Sequence, residues 1–222
     1  MDTNVSDKTY KVKECFLTLQ GEGAHAGRVA VFVRFAGCNL WSGRDRDRER
    51  DAAGNGARCP LFCDTDFVGG DRFTAKELAA KVQALGAGPD VFVVLTGGEP
   101  LLQVDAALLA EFEAIGAAAH VETNGTVRPT DEVLAGLRWI TLSPKVAPSR
   151  LVLQRANELK VVVPSYDPLS FGLTGLAAGG VLYVQPEDGP DAANNLQACL
   201  AFVQANPKWR LSVQIHKIIG VP

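Results

Sequence analysis

Residues 91–100 read VFVVLTGGEP. Val91 to Leu95 are an unbroken apolar run rich in β-branched residues, the pattern of a buried strand. Thr96-Gly97-Gly98-Glu99-Pro100 then ends the run in polar, glycine-rich chain. Asp105 can cap a helix carrying Leu108, Leu109, Phe112 and Ile115, and a second apolar run at 118–122 ends on Glu122-Thr123-Asn124. Strand, helix and strand in that order predict parallel pairing with a right-handed crossover. The rhythm extends outward in both directions, with candidate strands at 12–19, 29–35, 91–95, 118–122, 138–142, 159–163, 181–184 and 211–215. Thr74-Ala75-Lys76-Glu77 is a capping box ahead of Leu78, Val82 and Leu85. Asn194 or Asn195 can cap a helix that turns Leu196, Leu200 and Val203 inward. About eight strands alternating with helices predict an α/β fold, a partial or irregular TIM-type (β/α) barrel. The irregularity belongs at the start, where the connection between the first two strands is thinnest.

The chain has 222 residues, 47% hydrophobic and 21% charged, enough for one sizeable core; a single domain over 1–222 is expected. The charged stretch GRDRDRERDAAGNGAR at 43–58 has no apolar periodicity and reads as an inserted solvated loop or short exposed helix. A formal net charge of −3 argues against a nucleic-acid partner held by charge. No apolar run approaches the ~20 residues that span a bilayer, and the polar N-terminal residues 1–8 do not form a leader. A cytoplasmic protein is expected. Its five cysteines then point to metal binding or catalysis before disulfides.

In parallel α/β barrels chemistry sits at the C-terminal ends of the strands. Here those ends carry Cys38, then Thr96 to Pro100, Glu122 to Asn124, Ser143-Pro144-Lys145, Gln185-Pro186-Glu187-Asp188 and His216. Convergence on one rim would make one large site. Cys38, Cys59 and Cys63 are separated by 20 and then 3 residues. Three thiolates suit an iron–sulfur cluster with one open iron, or zinc with a fourth ligand from Cys15 or His25. Cys15 and Cys199 otherwise read as small buried apolar residues, His25 as an exposed loop residue and His120 as a strand residue without a catalytic role.

The sequence resembles the radical S-adenosylmethionine (SAM) superfamily and, within it, the 7-carboxy-7-deazaguanine synthase family. The resemblance rests on Leu19-Gln20-Gly21-Glu22-Gly23, on Arg34 to Gly43 around Cys38, and on Cys63-Asp64-Thr65-Asp66-Phe67. Thr96 to Pro100, Glu122 to Gly125 and Ser143 to Lys145 extend it. It implies a [4Fe–4S] cluster on Cys38, Cys59 and Cys63, at which the radical arises, with no side chain assigned as catalytic. It implies SAM contacts from Gly97, Gly98, Glu99, Glu122, Ser143, Pro144, Lys145, Gln185, Pro186, Glu187 and Asp188, with Glu99 orienting its turn or the SAM amino group. It implies a pterin substrate lined by Leu19, Gln20, Gly21, Glu22, Arg34, Thr96, His216 and the terminal carboxylate of Pro222, and Mg²⁺ on Thr65. Arg34 would hold the substrate carboxylate; the alternative reading of Arg34 is a strand-end ion pair with Asp64 or Asp66. A homodimer, an electron donor such as flavodoxin and a place in queuosine or 7-deazapurine biosynthesis are also implied. Two rival readings are a glycyl-radical activase, which shares the cluster and SAM motifs, and a non-catalytic zinc module, which accounts for the cysteines alone.

Overall fold

The computed structural model describes residues 8–153, 155–171 and 176–222, with backbone only for 176–179. The N-terminal residues examined for a leader lie largely outside that range. Nine strands form one sheet, in the order β3-β1-β2-β4-β5-β6-β7-β8-β9. They are β1 (Thr9–Leu19), β2 (Val29–Phe35), β3 (Asp71–Thr74), β4 (Phe92–Gly97), β5 (Ala119–Thr123), β6 (Trp139–Leu142), β7 (Ala156–Val163), β8 (Leu176–Pro186) and β9 (Trp209–Leu211). From β2 to β9 every neighbouring pair is parallel. The two ends of the sheet do not pair with each other, so the barrel is partial.

Three features depart from the sequence reading. First, β1 runs antiparallel to β2, with Leu19 opposite Val29. The 20–28 connection is too short for a parallel crossover, which takes roughly a dozen residues or more. Second, the four-residue β3 pairs antiparallel with β1 at the sheet edge; Asp71-Arg72-Phe73-Thr74 is too short and too polar to announce a strand. Third, the strand expected at 211–215 stops at Leu211, and Ile215–Ile219 forms a short helix, α6. Ser212 N still donates to Val184 O (2.9 Å) while its hydroxyl donates to Gln185 Oε1 (2.9 Å), and beyond it Ile215 N donates to Gly21 O (3.0 Å).

Helices α2 (Ala75–Ala84), α3 (Ala106–Ala114), α4 (Asp131–Gly136) and α5 (Ala192–Ala205) lie between strands in sequence. Leu78, Val82, Leu108, Leu109, Phe112, Val133 and Cys199 join one buried core with Val31, Val33, Val93, Leu95, Val121, Leu159 and Val161 from alternate strand positions. Thr74 and Glu77 make the reciprocal capping bonds, and Asp105 accepts from Leu108 N (3.0 Å). The α5 helix starts at Ala192, before Asn194 and Asn195, so neither is its cap. Because side chains alternate across a strand, Phe92, Val94, Thr96, His120, Glu122, Lys160 and Gln185 project to the other face. There the foot is apolar and the C-terminal rim polar. Among the described residues no helix is long and apolar enough to cross a membrane.

The 20–25 segment crosses the open side of this face. Gly23 N donates to Ser212 Oγ (3.1 Å) and Ala24 N to Glu158 Oε2 (3.0 Å). A Cβ on Gly21 would overlap His216, and one on Gly23 (φ +63°) would overlap Glu158. His25 is not an exposed loop residue. Its ring lies 4.5 Å from that of Trp139 and 4.7 Å from that of His120, at the foot of the lumen.

Candidate active site

The three cysteines of the motif reach one cavity by two routes. Cys38 follows β2, while Cys59–Leu61 is a 3₁₀ turn that begins after the insert. Cys59 O accepts from Phe62 N (3.1 Å) and Cys63 N (2.8 Å), and this tight turn absorbs the longer Cys59–Cys63 spacing. All three thiols are free and line the same cavity. Burial pushes the Cys59 thiol up to about 12 and raises that of Cys38. Such thiols stay neutral until a metal displaces their protons. Among the described residues no three His, Cys, Asp or Glu side chains converge closely enough to hold a single ion. Three thiols spread around a cavity suit the larger frame of an iron–sulfur cluster. Neither Cys15 nor His25 is among the residues lining it.

The 43–58 insert is not a free surface excursion. It contains a helix, α1 (Arg48–Asn55), and buries Asp47 and Asp51. Asp51 accepts from Ser42 N (2.8 Å), Asn55 Nδ2 donates to Leu40 O (2.9 Å), and Arg50 pairs with both aspartates. Its alternating charges pair with one another and with the backbone of the cysteine loop, which is why they carry no apolar period.

Across the cavity, Gly98 N donates to Phe35 O (3.2 Å) and Glu99 N to Gly37 O (3.0 Å). This holds the Thr96 to Pro100 turn against the loop before Cys38. A Cβ on Gly97 (φ +123°) would overlap Phe35, and one on Gly98 would overlap Gly37 O. Glu99 is fully buried beneath the turn, where it accepts from Leu101 N (3.0 Å), Thr123 Oγ1 (2.8 Å) and Asn124 N (2.8 Å). Burial raises its carboxyl to about 7 against those three donors. Gly97, Gly98, Glu122, Ser143, Lys145 and Gln185 to Asp188 line the cavity, whereas Glu99 and Pro144 are not among the lining residues. Lys145 Nζ donates to Ser143 Oγ (2.9 Å), and burial lowers its ammonium pKa.

A second cavity adjoins the first. Leu19, Gln20, Gly21, Glu22, Arg34, Thr65, Thr96, His216 and Pro222 all line it. Arg34 pairs with Glu14 across the β1–β2 ladder (2.7 Å), not with Asp64 or Asp66. Thr18 Oγ1 donates to Pro222 O (2.9 Å), so the tail folds back along β1. Lys217 binds Asp64 (2.6 Å) and Asp188 (2.5 Å), tying α6 to the cysteine loop and to the end of β8. Glu22, Thr96 and Glu122 line both cavities. Glu22 bonds to Lys160, which lies 3.6 Å from Glu122, and Gln20 Nε2 donates to Glu122 Oε1 (2.9 Å). Burial alone would lower the Lys160 pKa, but Glu122 and Glu22 outweigh it and hold the ammonium charged.

The chain is 50% identical to the 7-carboxy-7-deazaguanine synthase of Bradyrhizobium diazoefficiens, over 96% of this chain and 99% of that one. It is 48% identical to the enzyme of the same name from Caulobacter vibrioides, over 96% and 100%. The chain belongs to the 7-carboxy-7-deazaguanine synthase family. A crystal structure of QueE from Escherichia coli matches with a TM-score of 0.65 at 29% identity, covering 94% of this chain and 95% of that one. No family model matches the chain. This is a family of radical SAM enzymes, so a [4Fe–4S] cluster and SAM are its cofactors, and a zinc module or a glycyl-radical activase no longer describes it.

Within this synthase fold, Lys160, Gln214 and Tyr166 were not singled out from the sequence. Lys160 hides in the apolar strand Leu159 to Val163, and its partner Glu22 is 138 residues away. Gln214 Nε2 donates to Glu22 Oε1 (2.9 Å) from a segment read as strand. Tyr166 OH donates to Lys145 O (2.6 Å) and accepts from Arg58 N (3.0 Å), joining the SAM-side rim to the cysteine loop. Only the alternation of Lys160 with the core residues Leu159 and Val161 hinted that it faced the lumen.

Proposed function

We propose that this chain converts 6-carboxy-5,6,7,8-tetrahydropterin to 7-carboxy-7-deazaguanine with loss of ammonia, as a step toward queuosine or related 7-deazapurines. The observation that carries the reading is the adjoining pair of cavities, one with the three cysteines and one with the residues the resemblance assigns to a pterin, sharing Glu22, Thr96 and Glu122 as their wall. A [4Fe–4S] cluster held by Cys38, Cys59 and Cys63, with SAM beside it, would supply the radical chemistry that the reaction needs.

Cys38, Cys59 and Cys63 hold the cluster. Gly97, Gly98, Glu122, Ser143, Lys145 and Gln185 to Asp188 bind SAM along the strand ends, and Glu99 keeps the Thr96 to Pro100 turn in shape, while Pro144 sits between the SAM contacts Ser143 and Lys145. Leu19, Gln20 and Gly21 line the pterin, with amide and backbone groups matching its donor and acceptor edge. Arg34 exchanges Glu14 for the substrate carboxylate, a charged fork on a planar acceptor. His216 and the Pro222 carbonyl oxygen meet the pterin amino and ring N–H groups. The Thr65 hydroxyl would ligate Mg²⁺ together with the substrate carboxylate, with water completing the shell. The chain works as a single cytoplasmic domain, within a homodimer, and takes its electron from a carrier such as flavodoxin.

The test is anaerobic incubation with SAM, dithionite and the tetrahydropterin, read by mass spectrometry and an ammonia assay. The expected result is the deazaguanine acid and ammonia in equal amounts. Cleavage of SAM with neither product would refute the proposed substrate.

A further inference from the structure

We infer that Arg48, at the start of the inserted helix, is a positioning residue for the cluster, clamping the turn that presents Cys59 and Cys63. Its Nη1 donates to Pro60 O (2.5 Å) and to Cys63 O (3.2 Å), and its Nη2 also reaches Cys63 O (3.2 Å). Its Nε donates to Asp45 Oδ1 (2.9 Å), and the guanidinium lies 4.3 Å from the centre of the Trp41 ring. Trp41 is buried and lines the cavity that holds the three thiols.

Each contact has a physical reason. Within the turn, Cys59 O is taken by Phe62 N and Cys63 N. Pro60 O and Cys63 O are the carbonyls Arg48 binds. A planar guanidinium can grip two such acceptors in one geometry while its face rests on an indole, which an ammonium cannot do. The other arginines of the insert are spent differently. Arg50 pairs with Asp47 and Asp51, and Arg46 is largely exposed, 4.0 Å from Asp47. Arg48, unlike Arg46 and Arg50, bonds to the cysteine turn. The inserted segment therefore serves the Cys59–Cys63 spacing as a brace. A fixed positive charge on the carbonyl of a cluster ligand also favours the more negative, reduced state, because nearby charge and hydrogen bonding set cluster potentials.

The inference rests on the cluster assignment above, and its test separates the two. Wild type, Arg48→Ala, Arg48→Gln, Arg48→Lys and the control Arg46→Ala are reconstituted anaerobically with iron and sulfide. Iron loss to a chelator and the cluster midpoint potential are then measured, with circular dichroism as the check on folding. Arg48→Ala and Arg48→Gln should lose iron on the order of tenfold faster than wild type, the scale of a lost charge-assisted hydrogen bond, and should show a lower potential. Arg48→Lys should keep the potential, because it keeps the charge, but lose iron at an intermediate rate, because it lacks the fork. Arg46→Ala should match wild type. Arg48→Ala matching wild type in both measurements would overturn the clamp. Failure of wild type itself to hold a cluster would overturn the cluster assignment instead.

Discussion

Replacing Lys160 by Met removes the cation that pairs with Glu22 and lies 3.6 Å from Glu122, while keeping most of the side-chain volume. Lys160 is 3% exposed and Glu22 14% exposed. Taking one partner from a buried pair leaves a desolvated charge behind and costs about 3–5 kcal/mol. Glu22 keeps two donors, Gln185 Nε2 (3.1 Å) and Gln214 Nε2 (2.9 Å), which places the loss near the lower end, about 3 kcal/mol. For a chain of this length that is a fall of roughly 6–12 °C in Tm. The pH dependence carries the sign. In the wild type burial would raise the Glu22 pKa, but Lys160 overrides it and holds the carboxyl below the ordinary range. Its contribution is therefore complete above the unfolded value of ~4.3 and lost as pH falls through the folded one. The Lys160 pKa is raised, so its contribution is complete below the unfolded value of ~10.4 and lost as pH rises through the folded one. The wild-type triad is thus level between those limits. In the variant burial wins at Glu22, its pKa rises, and the deficit shrinks as pH falls and the carboxyl takes up a proton. Urea unfolding of the metal-free protein at several pH values checks this, with Lys160→Met/Glu22→Gln as the partner variant, which should recover part of the loss. An unchanged midpoint at neutral pH, or a deficit that grows on acidification, would refute the argument.

Ala at Cys38, Cys59 or Cys63 should abolish the cluster absorbance and SAM cleavage, whereas Ala at Cys15 or Cys199, whose thiols burial raises to about 11, should leave both intact. Gly21→Ala should push His216 and α6 aside and raise the pterin KM about tenfold or more, the scale of a 1–3 kcal/mol overpacking cost, with little change in SAM affinity measured by calorimetry. Turnover should depend on added Mg²⁺, and Thr65→Ala should raise the concentration needed; superimposable titrations would remove Thr65 from the site. A C-terminal tag should raise the pterin KM and spare SAM binding, while an N-terminal tag should do neither, as steady-state kinetics would reveal.

The parallel part of the sheet was legible because its signals are local. Val29–Phe35 is a strand with the bounds its apolar run suggests, and the Thr74 box caps α2 as its spacing requires. What escaped depends on contacts far apart in the chain. The direction of β1 is decided by the length of the turn after it, not by its own alternation. Val213 to Ile215 has strand composition, but Ser212 and Ile215 find partners at Gln185 and Gly21, and the chain leaves the sheet. In the insert, alternating Arg and Asp look like a solvated face whether or not the aspartates are buried. Their burial follows from Ser42 N and Arg50, and no periodicity encodes that.

The same division runs through the two cavities. The one with the cysteines rests largely on strand ends: Thr96 and Gly97 end β4, Glu122 and Thr123 end β5, and Gln185 and Pro186 end β8. The other has Glu14, Phe16 and Leu19 from β1 and Phe32 and Arg34 from β2 on one side, and chain outside the sheet on the other, namely the 20–22 crossing and the 214–222 tail. An antiparallel β1 makes this necessary. Its C-terminal end lies at the foot of β2, so Gln20 and Glu22 reach the rim only because the chain then traverses the lumen toward β7 and α6. A five-residue helix cannot hold itself in water. Its place comes from Gly21 O, Thr18 and the Asp64–Lys217–Asp188 bridge. These anchors belong to β1 and the crossing, the cysteine loop and the end of β8, so three segments distant in sequence meet at the tail.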